Sequence, residues 1–470
     1  NGNYYTFENT LTFIRTFAQK HHLNLMAGYT NEWGKRENFG LTGLHLIGEA
    51  PNLRYIDATL ERNKTTGTNN GSEYAMISYL GRMHYDFDNR YLLTVSFRRD
   101  GSSKFAKKNR WGNFPSFALG WRIDNENFFK KLNANWISSL KLRLGWGQIG
   151  NQNIDSYLDR SLLSLWAQYG ALFGTKETLY QGIAVTRLGN PNIKWETTES
   201  TNVGLDATFF NNRLMLSFEY YYKTTKDMLL AAPMPKYMGY NYNTYTNIGA
   251  ANNRGIEVNM EWRDKVKDFE YNIGLNLSTI RNRMTKLNGG TPIASGVLRQ
   301  QYATYTNEGM PIGAFWGYVT DGLIQTEEQL KKVKKAGFQP NAQLGDVLFV
   351  DTNNDGMLNE KDKRMIGNPI PAVIYGFNVG MSWKNFDLSL QFGGTISNKI
   401  FNALRLYTYS LTDITNKDKA LLNYWTPTNK NTNIPRLAAA DYNNNNRLSD
   451  RYIENGTYLR LRNVQLGYKL

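Results

Sequence analysis

Residues 202–222 read Asn202-Val-Gly-Leu-Asp206-Ala-Thr-Phe-Phe210-Asn-Asn-Arg-Leu214-Met-Leu-Ser-Phe218-Glu-Tyr-Tyr-Tyr222. Val203, Leu205, Ala207 and Phe209 alternate with Asn202, Gly204, Asp206 and Thr208. After the turn residues Asn211–Arg213, Leu214, Leu216, Phe218, Tyr220 and Tyr222 take up the alternation again. A period of two over this length is the signature of a strand with one apolar face, and the polar break between two such runs is a hairpin. The same pattern recurs outward in both directions. It is found in Tyr91–Phe97, Leu140–Trp146, Ile256–Trp262, Tyr271–Leu277 and Phe386–Phe392, and in Leu459–Tyr468, where the phase slips as at a bulge near Asn463.

Thirteen strands follow, over 4–18, 23–33, 73–87, 90–101, 113–125, 137–149, 197–210, 214–228, 252–263, 268–284, 371–384, 386–397 and 456–470. Their connections alternate. The short ones lie at 19–22, 87–89, 211–213, 264–267 and 384–385, with 126–136 somewhat longer. The long ones are 34–72, 102–112, 151–196, 229–251, 285–370 and 398–455. A soluble sandwich scatters its loop lengths over both ends. Short turns at one end and long loops at the other belong to outer-membrane barrels, whose strands span the bilayer in about 9–11 residues. A barrel this wide cannot fill its lumen with side chains, so the apolar face points to lipid. Trp33, Trp121, Trp146, Trp262 and Trp383 lie near strand ends, as an interfacial girdle requires. The alternative is that they are strand formers only.

Composition agrees with an all-β reading. The chain has 470 residues with Tyr 30, Phe 23 and Trp 11, which is ample surface to bury and excludes disorder. With a mean hydropathy of −0.54 it holds no apolar run of the roughly 18 residues a transmembrane helix needs. The absence of Cys removes thiol catalysis and Cys-ligated zinc. The net charge of +15 is spread through loops and polar strand faces, which does not suit nucleic acid. Basic residues near an outer rim suit anionic lipid headgroups instead. Thr326–Ala336 reads as a short charged helix inside a long loop. Asn1 is not an initiator Met and the chain stops at Tyr468-Lys469-Leu470 within a strand, so residues 1–470 read as a barrel portion incomplete at both ends.

Gly145-Trp-Gly147-Gln-Ile-Gly150 matches a dinucleotide fingerprint, but Asn151-Gln152-Asn153 follows where a helix is required, so the glycines shape a strand end. The four His residues are in no metal-ligand spacing, and His21-His22 falls in a short turn exposed to solvent. No nucleophile elbow occurs, so the reading is of a non-enzyme with no organic cofactor. One motif is sharp. Asp351-Thr-Asn353-Asn-Asp355-Gly356-Met357-Leu-Asn359-Glu-Lys-Asp362 fits the calcium loop D-x-N-x-D-G. It offers side-chain oxygens of Asp351, Asn353 and Asp355, the Met357 carbonyl, Asn359, and Asp362 in place of the usual closing Glu. The expected role for calcium is structural, stiffening the long outer loop 285–370; the alternative is an Asx-rich turn with no metal. Aromatics crowd the long loops as candidate substrate contacts: Trp166, Tyr169 and Tyr180; Tyr237, Tyr240, Tyr242 and Tyr245; Tyr302 and Tyr305. Flat rings stack on sugars or peptide side chains, and equally they build small loop cores.

Read together, several segments resemble the SusC/RagA-like TonB-dependent outer-membrane transporters. They are Arg110-Trp-Gly-Asn-Phe-Pro-Ser116, Lys141-Leu-Arg-Leu-Gly-Trp-Gly-Gln-Ile-Gly-Asn151, Asn190-Pro-Asn-Ile-Lys-Trp-Glu196, Asn253-Arg-Gly-Ile-Glu257, Glu308-Gly-Met-Pro-Ile-Gly313, Gly345-Asp346 with the 351–362 loop, Ile366-Gly-Asn-Pro-Ile-Pro371, and Tyr458-Leu-Arg-Leu-Arg-Asn463. Leu344 departs from the pattern, which has Pro there, and puts the preceding turn in doubt. The resemblance implies part of a 22-stranded plugged barrel in the outer membrane of a Gram-negative bacterium. It implies a SusD-like lipoprotein cap, TonB engaged through an N-terminal region outside this chain, and import of oligosaccharides or oligopeptides without covalent chemistry. The readings kept beside it are a non-transporting barrel that scaffolds or adheres within a surface complex, and a soluble secreted glycan-binding β-protein.

Overall fold

The computed structural model describes residues 2–61, 66–175, 178–232, 236–239, 242–287, 292–335, 337–410, 412 and 414–470. Its strands, in chain order, are β1 (Gly2–Phe17), β2 (His21–Thr42), β3 (Thr66–Phe87), β4 (Tyr91–Ser102), β5 (Trp111–Arg122), β6 (Ile137–Asn151), β7 (Leu162–Phe173), β8 (Thr178–Arg187), β9 (Glu196–Phe209), β10 (Leu214–Ala232), β11 (Thr244–Val266), β12 (Phe269–Thr279), β13 (Arg281–Leu287), β14 (Ile293–Leu298), β15 (Gln301–Thr306), β16 (Ala314–Gly317), β17 (Thr320–Leu323), β18 (Val347–Phe349), β19 (Arg364–Gly367), β20 (Val373–Trp383), β21 (Phe386–Ile396), β22 (Lys399–Phe401), β23 (Ile453–Asn455) and β24 (Tyr458–Tyr468). Among the described residues three short α-helices accompany them: α1 (Asn127–Lys131), α2 (Glu327–Lys335) and α3 (Ala403–Thr408). Fourteen of the strands belong to one sheet.

Two compact units are distinguished. The first comprises 1–132, 141–202 and 224–249; the second comprises 133–140, 203–223 and 250–470. In the first, β1 to β6 pair antiparallel in sequence order, each strand hydrogen-bonded to the next. Three-residue turns close the first and third hairpins, Ala18–Lys20 between β1 and β2 and Asp88–Arg90 between β3 and β4. Asp88 and Asn89 both have positive φ (54° and 50°), the primed turn whose twist matches the strands it joins. At the other end, Phe105, Phe114, Ile154, Leu158, Ile193 and Trp195 form a buried cluster, with Met76, Leu229 and Tyr245 packed against it.

In the second unit β11, β12, β20, β21 and β24 pair in that order, and β13 pairs with β11. The run expected over 268–284 breaks at Ile280, whose amide bonds to the Ala372 carbonyl. Beyond the break the chain continues as β13 on β11 rather than on β20. Between Gln391 and Phe392 the register with β24 shifts, so Arg462 is the extra residue of the bulge expected near Asn463. The long segments carry structure of their own. Residues from 285–370 form the four-stranded sheet β14–β15–β16–β19 and the pair β17–β18, and β22 pairs with β23 across 398–455. The charged helix falls where its sequence placed it, at α2, with the Gln329 amide bonded to Thr326 Oγ1 and the Thr326 amide to Gln329 Oε1, a capping box. The histidines correct one reading. His21 and His22 begin β2 and are half-buried, with ring nitrogens 2.7 Å from Tyr85 Oη and 2.9 Å from Thr16 Oγ1, because the turn before them is only Ala18–Lys20.

Candidate functional site

The strands build a wall with two chemically different faces. In the first unit Tyr91, Leu93, Val95 and Phe97 of β4 lie opposite Trp121, Leu119, Phe117 and Pro115 of β5. Five of these side chains, Tyr91, Val95, Phe97, Phe117 and Leu119, are exposed; Phe97 is 49% and Leu119 45% accessible, and Leu93, Pro115 and Trp121 are half-buried. On the other face Arg98 donates to Asp100 (2.7 Å) and Ser78 (3.1 Å). In the second unit Trp262, Met260 and Val258 of β11 lie opposite Ile273, Leu275 and Leu277 of β12, and these opposite Val379, Phe377 and Tyr375 of β20. The alternate face holds Asn272, Gly274 and Asn276 against Gly380, Asn378 and Gly376. Oily side chains facing outward beside a polar, glycine-rich face are what a lipid-facing strand wall requires.

Aromatic rings mark two levels on the apolar face. Near the short turns of the first unit, Trp121 packs on Phe128 (6.4 Å). In the second unit Trp136, Phe209, Phe210 and Trp262 form a continuous series at 5.6–6.3 Å, and Phe386 meets Tyr468 at 4.8 Å. Further along the strands of the first unit, Tyr79 stacks on Trp111 (6.0 Å) under the Arg99 guanidinium, which is 5.1 Å from that ring. Trp33 on Tyr5 and Trp146 on Phe117, each at 5.6 Å, belong to the same face. Tyr91 to Arg99, like Trp383 to Tyr375, is eight residues. At about 3.3 Å per residue and a tilt of about 40° that is roughly 20 Å along the membrane normal, near the height of an outer-membrane apolar band.

Beyond this band, the second unit's long segments interlock. Tyr318, Leu323, Phe338, Val347, Phe349 and Trp425 make one buried cluster; Ala303, Leu406, Leu448 and Tyr452 make another. Asp346 is wholly buried. Its Oδ1 accepts from Arg436 Nε (2.8 Å) and Asn445 Nδ2 (3.1 Å), and its Oδ2 from the Gln343 amide (2.9 Å). Gly345, with φ of 84°, lies so close to Trp425 that a Cβ would sit 2.2 Å from the indole, which explains the glycine before Asp346. The turn forms with Leu344 in place of Pro, since the Asp346 amide still reaches the Gln343 carbonyl at 3.1 Å. Gln339 and Asn443, both buried, bond to each other and to the Val347 carbonyl. The Arg447 guanidinium stacks on Tyr318 and Phe349 (5.7 and 5.2 Å), and burial lowers its pKa. Burial and then the Glu360 charge push the Tyr318 phenol up to about 12. These partners are about a hundred residues apart, and nothing local in the sequence marks them.

The calcium-type loop abuts this assembly through Tyr318 and Glu360 (3.5 Å). Gly356 has φ of 75°, the left-handed turn position its place in the motif demands, and its amide donates to Asp351 Oδ2 (2.8 Å). Asp351 Oδ1 is buried with no hydrogen-bond partner. Asp355 accepts from the Met357 amide and Asn353 Nδ2 (both 2.9 Å), which hold its carboxyl below the usual range. Asn359 Nδ2 donates to the Met357 carbonyl (3.2 Å). Asp362, also wholly buried, accepts from the amides of Thr352 (3.0 Å) and Asn359 (2.9 Å). The loop therefore brings Asp351, Asn353, Asp355 and Gly356 into one turn. Among the described residues, no three His, Asp or Glu side chains converge into a ready metal cluster. The donors fit a hard cation chemically. Every candidate ligand atom is oxygen, each engaged carboxylate oxygen keeps a second lone pair, and Asp351 Oδ1 is a buried acceptor without a donor.

The loop aromatics divide. Tyr245 is half-buried and packs against the first unit's buried cluster. Tyr180, Tyr237 and Tyr242 are 58%, 88% and 57% accessible. Tyr302 is 51% accessible, whereas Tyr305, three residues on and facing the other way, stacks on Trp316 at 4.6 Å. Tyr240 and the side chains of Trp166 and Tyr169 lie outside what the structure describes.

The sequence model of a family described as TonB dependent receptor-like, beta-barrel matches residues 1–470. TonB-dependent receptor P3 of Formosa agariphila is 32% identical over 98% of this chain and 45% of its own length. TonB-dependent receptor SusC of Bacteroides thetaiotaomicron is 32% identical over 88% of this chain and 39% of its own. The solved structure of the RagAB peptide transporter superposes with a TM-score of 0.78 at 26% identity, covering 99% of this chain and 49% of that one. The chain thus spans less than half the length of the relatives it matches.

Proposed function

The chain belongs to the TonB-dependent receptor-like β-barrel family of the Gram-negative outer membrane, and on that premise we propose that it forms the barrel portion of an importer for oligosaccharides or oligopeptides. In this reading a SusD-like surface lipoprotein docks on the long loops, and TonB, acting on a region outside this chain, supplies the energy. The observation that carries the reading is the wall itself. An exposed apolar face, bounded by two levels of aromatics, backs onto a face of Asn, Ser, Asp and Gly that suits a watery passage. The interlocked loops suit a docking platform because they carry buried cores of their own. Tyr180, Tyr237, Tyr242 and Tyr302 are exposed rings with the flat faces that stacking on a ligand requires. We propose further that Asp351, Asn353, Asp355, the Met357 carbonyl, Asn359 and Asp362 bind a structural calcium ion.

The experiment is purification of the full-length protein from outer membranes in mild detergent, with mass analysis of whatever accompanies it. A stoichiometric lipoprotein and a trapped oligosaccharide or peptide are the expected result. A protein that arrives alone and binds neither ligand class overturns the importer reading in favour of a scaffold or adhesin.

A further inference from the structure

The outward ladder of β11 and β12 runs Trp262/Ile273, Met260/Leu275, Val258/Leu277. Glu257 lies opposite Ser278, on the alternate face. Extending that register past Ile256 and Thr279 sets Arg254 opposite Arg281 and Asn252 opposite Arg283. The Asn282 Nδ2 to Asn253 Oδ1 bond (2.7 Å) and the Thr285 Oγ1 to Ala250 carbonyl bond (3.0 Å) confirm that it is kept. Directly opposed residues share a face, and a face repeats every second residue. Three arginines and one asparagine therefore continue the oily ladder on the same outward side, beginning eight residues from Trp262. The alternate positions Ala251 and Met284 are each 1% accessible and face inward.

These side chains line one open cleft with Ile280, Asn282, Asn368, Ala372 and the loop residues Gly309 and Pro311, and among the described residues no Asp or Glu lines it. Among the described residues none of the three guanidiniums makes an ion pair or hydrogen bond with the protein, and all three are exposed. Glu308, beside the cleft, has its Oε1 engaged by the Leu287 amide (2.7 Å). Asn252 Nδ2 bonds to the hydroxyl of Tyr222 (3.3 Å), an outward ring of β10. The cleft lies where the apolar band ends on the long-loop side.

We propose that Arg254, Arg281 and Arg283 bind the phosphate of an anionic lipid headgroup in the outer leaflet. Three uncompensated guanidiniums just above an oily band match a phosphorylated headgroup in charge, in depth and in the bidentate geometry Arg prefers. The hydrocarbon of the same lipid then lies on Ile256, Val258 and Met260. The inference rests on the outer-membrane reading of the wall.

The test uses the full-length protein in nanodiscs that contain bisphosphorylated lipid A, or the same lipid stripped of phosphate. Native mass spectrometry counts the lipids retained on stepwise delipidation. Wild type retains the phosphorylated lipid. The Arg254→Gln/Arg281→Gln/Arg283→Gln variant loses retention by about a hundredfold, at roughly fivefold per cation near an anionic surface. The triple Lys variant recovers most of it. Inorganic phosphate added to discs without phosphorylated lipid leaves no adduct. Equal retention by the Gln variant, equal retention of stripped lipid, or tight binding of free phosphate each overturns the proposal while leaving the barrel intact. Failure of the wild type to enter discs as a heat-modifiable barrel overturns the outer-membrane reading and the proposal with it.

Discussion

Replacing Asp346 with Asn keeps the size of the side chain and removes one charge. Asp346 is wholly buried, and its partner Arg436 is only 21% exposed at the side chain. The Arg436 guanidinium would stay enclosed without its carboxylate, and the substituted carboxamide would turn an N–H donor towards either the Gln343 amide or Arg436, which are donors themselves. Breaking one side of a buried pair costs about 3–5 kcal/mol. Arg436 keeps some contact with water, so the lower end, about 3 kcal/mol, applies. Every 1.4 kcal/mol is tenfold, so the assembly should open roughly 150-fold more often. The readout is native-state hydrogen exchange at three amides: Ile324 on the Asp346 carbonyl (2.8 Å), Gly345 on Ile324 (2.7 Å) and Arg436 on Gly345 (2.9 Å). Amides of β20 and β21 serve as the internal control, since sheet strands should not respond to a loop opening. A change below about tenfold at all three amides would refute the reasoning. So would equal acceleration in β20, which would mean the loops and the strand wall melt together.

Other outcomes follow from the same structure. Leu275→Arg, on the apolar face, should cost about 2–4 kcal/mol in folding into bilayers, whereas Asn276→Arg, its neighbour on the polar face, should be near neutral; equal costs in a urea titration would reverse the assignment of faces. Asp351→Asn with Asp355→Asn should abolish a calcium-dependent gain in protease resistance around 351–362, and a wild type indifferent to calcium would remove the metal from the loop. The folded Tyr318 phenol titrates at about 12, above its value of 10 when exposed, so the stability it contributes is complete below pH 10 and is lost as pH rises from 10 towards 12. Exchange in the loop assembly should quicken over that window, and Tyr318→Phe should flatten the rise.

Period-two alternation made the strand wall legible because a strand with one face in lipid must write its environment into every second residue. Val203–Phe209 and Leu214–Tyr222 needed no tertiary information, and the phase slip at Asn463 marked its own bulge. The break at Ile280 was not legible, since β12 and β13 alternate alike and differ only in which neighbour they pair with. The calcium-type motif was visible as a motif, yet the engagement of both Asp362 oxygens by Thr352 and Asn359 amides depends on how the turn closes. The loop core was hidden for a different reason. Asp346 finds Arg436 across 90 positions, and Gln339 finds Asn443 across 104, distances over which local pattern carries no signal. The arginines of β11 and β13 needed the register before their shared face could be seen.

The Asp346–Arg436 bridge and the Gln339–Asn443 bond both enclose the β20–β21 hairpin within the chain they join. Closing so long a loop is entropically unfavourable until its middle is already ordered. The loop assembly is therefore expected to close late in folding, after that hairpin has been laid into the sheet. Until it closes, the segments around 338–350 and 434–447 lack the partners that bury Asp346 and Gln339.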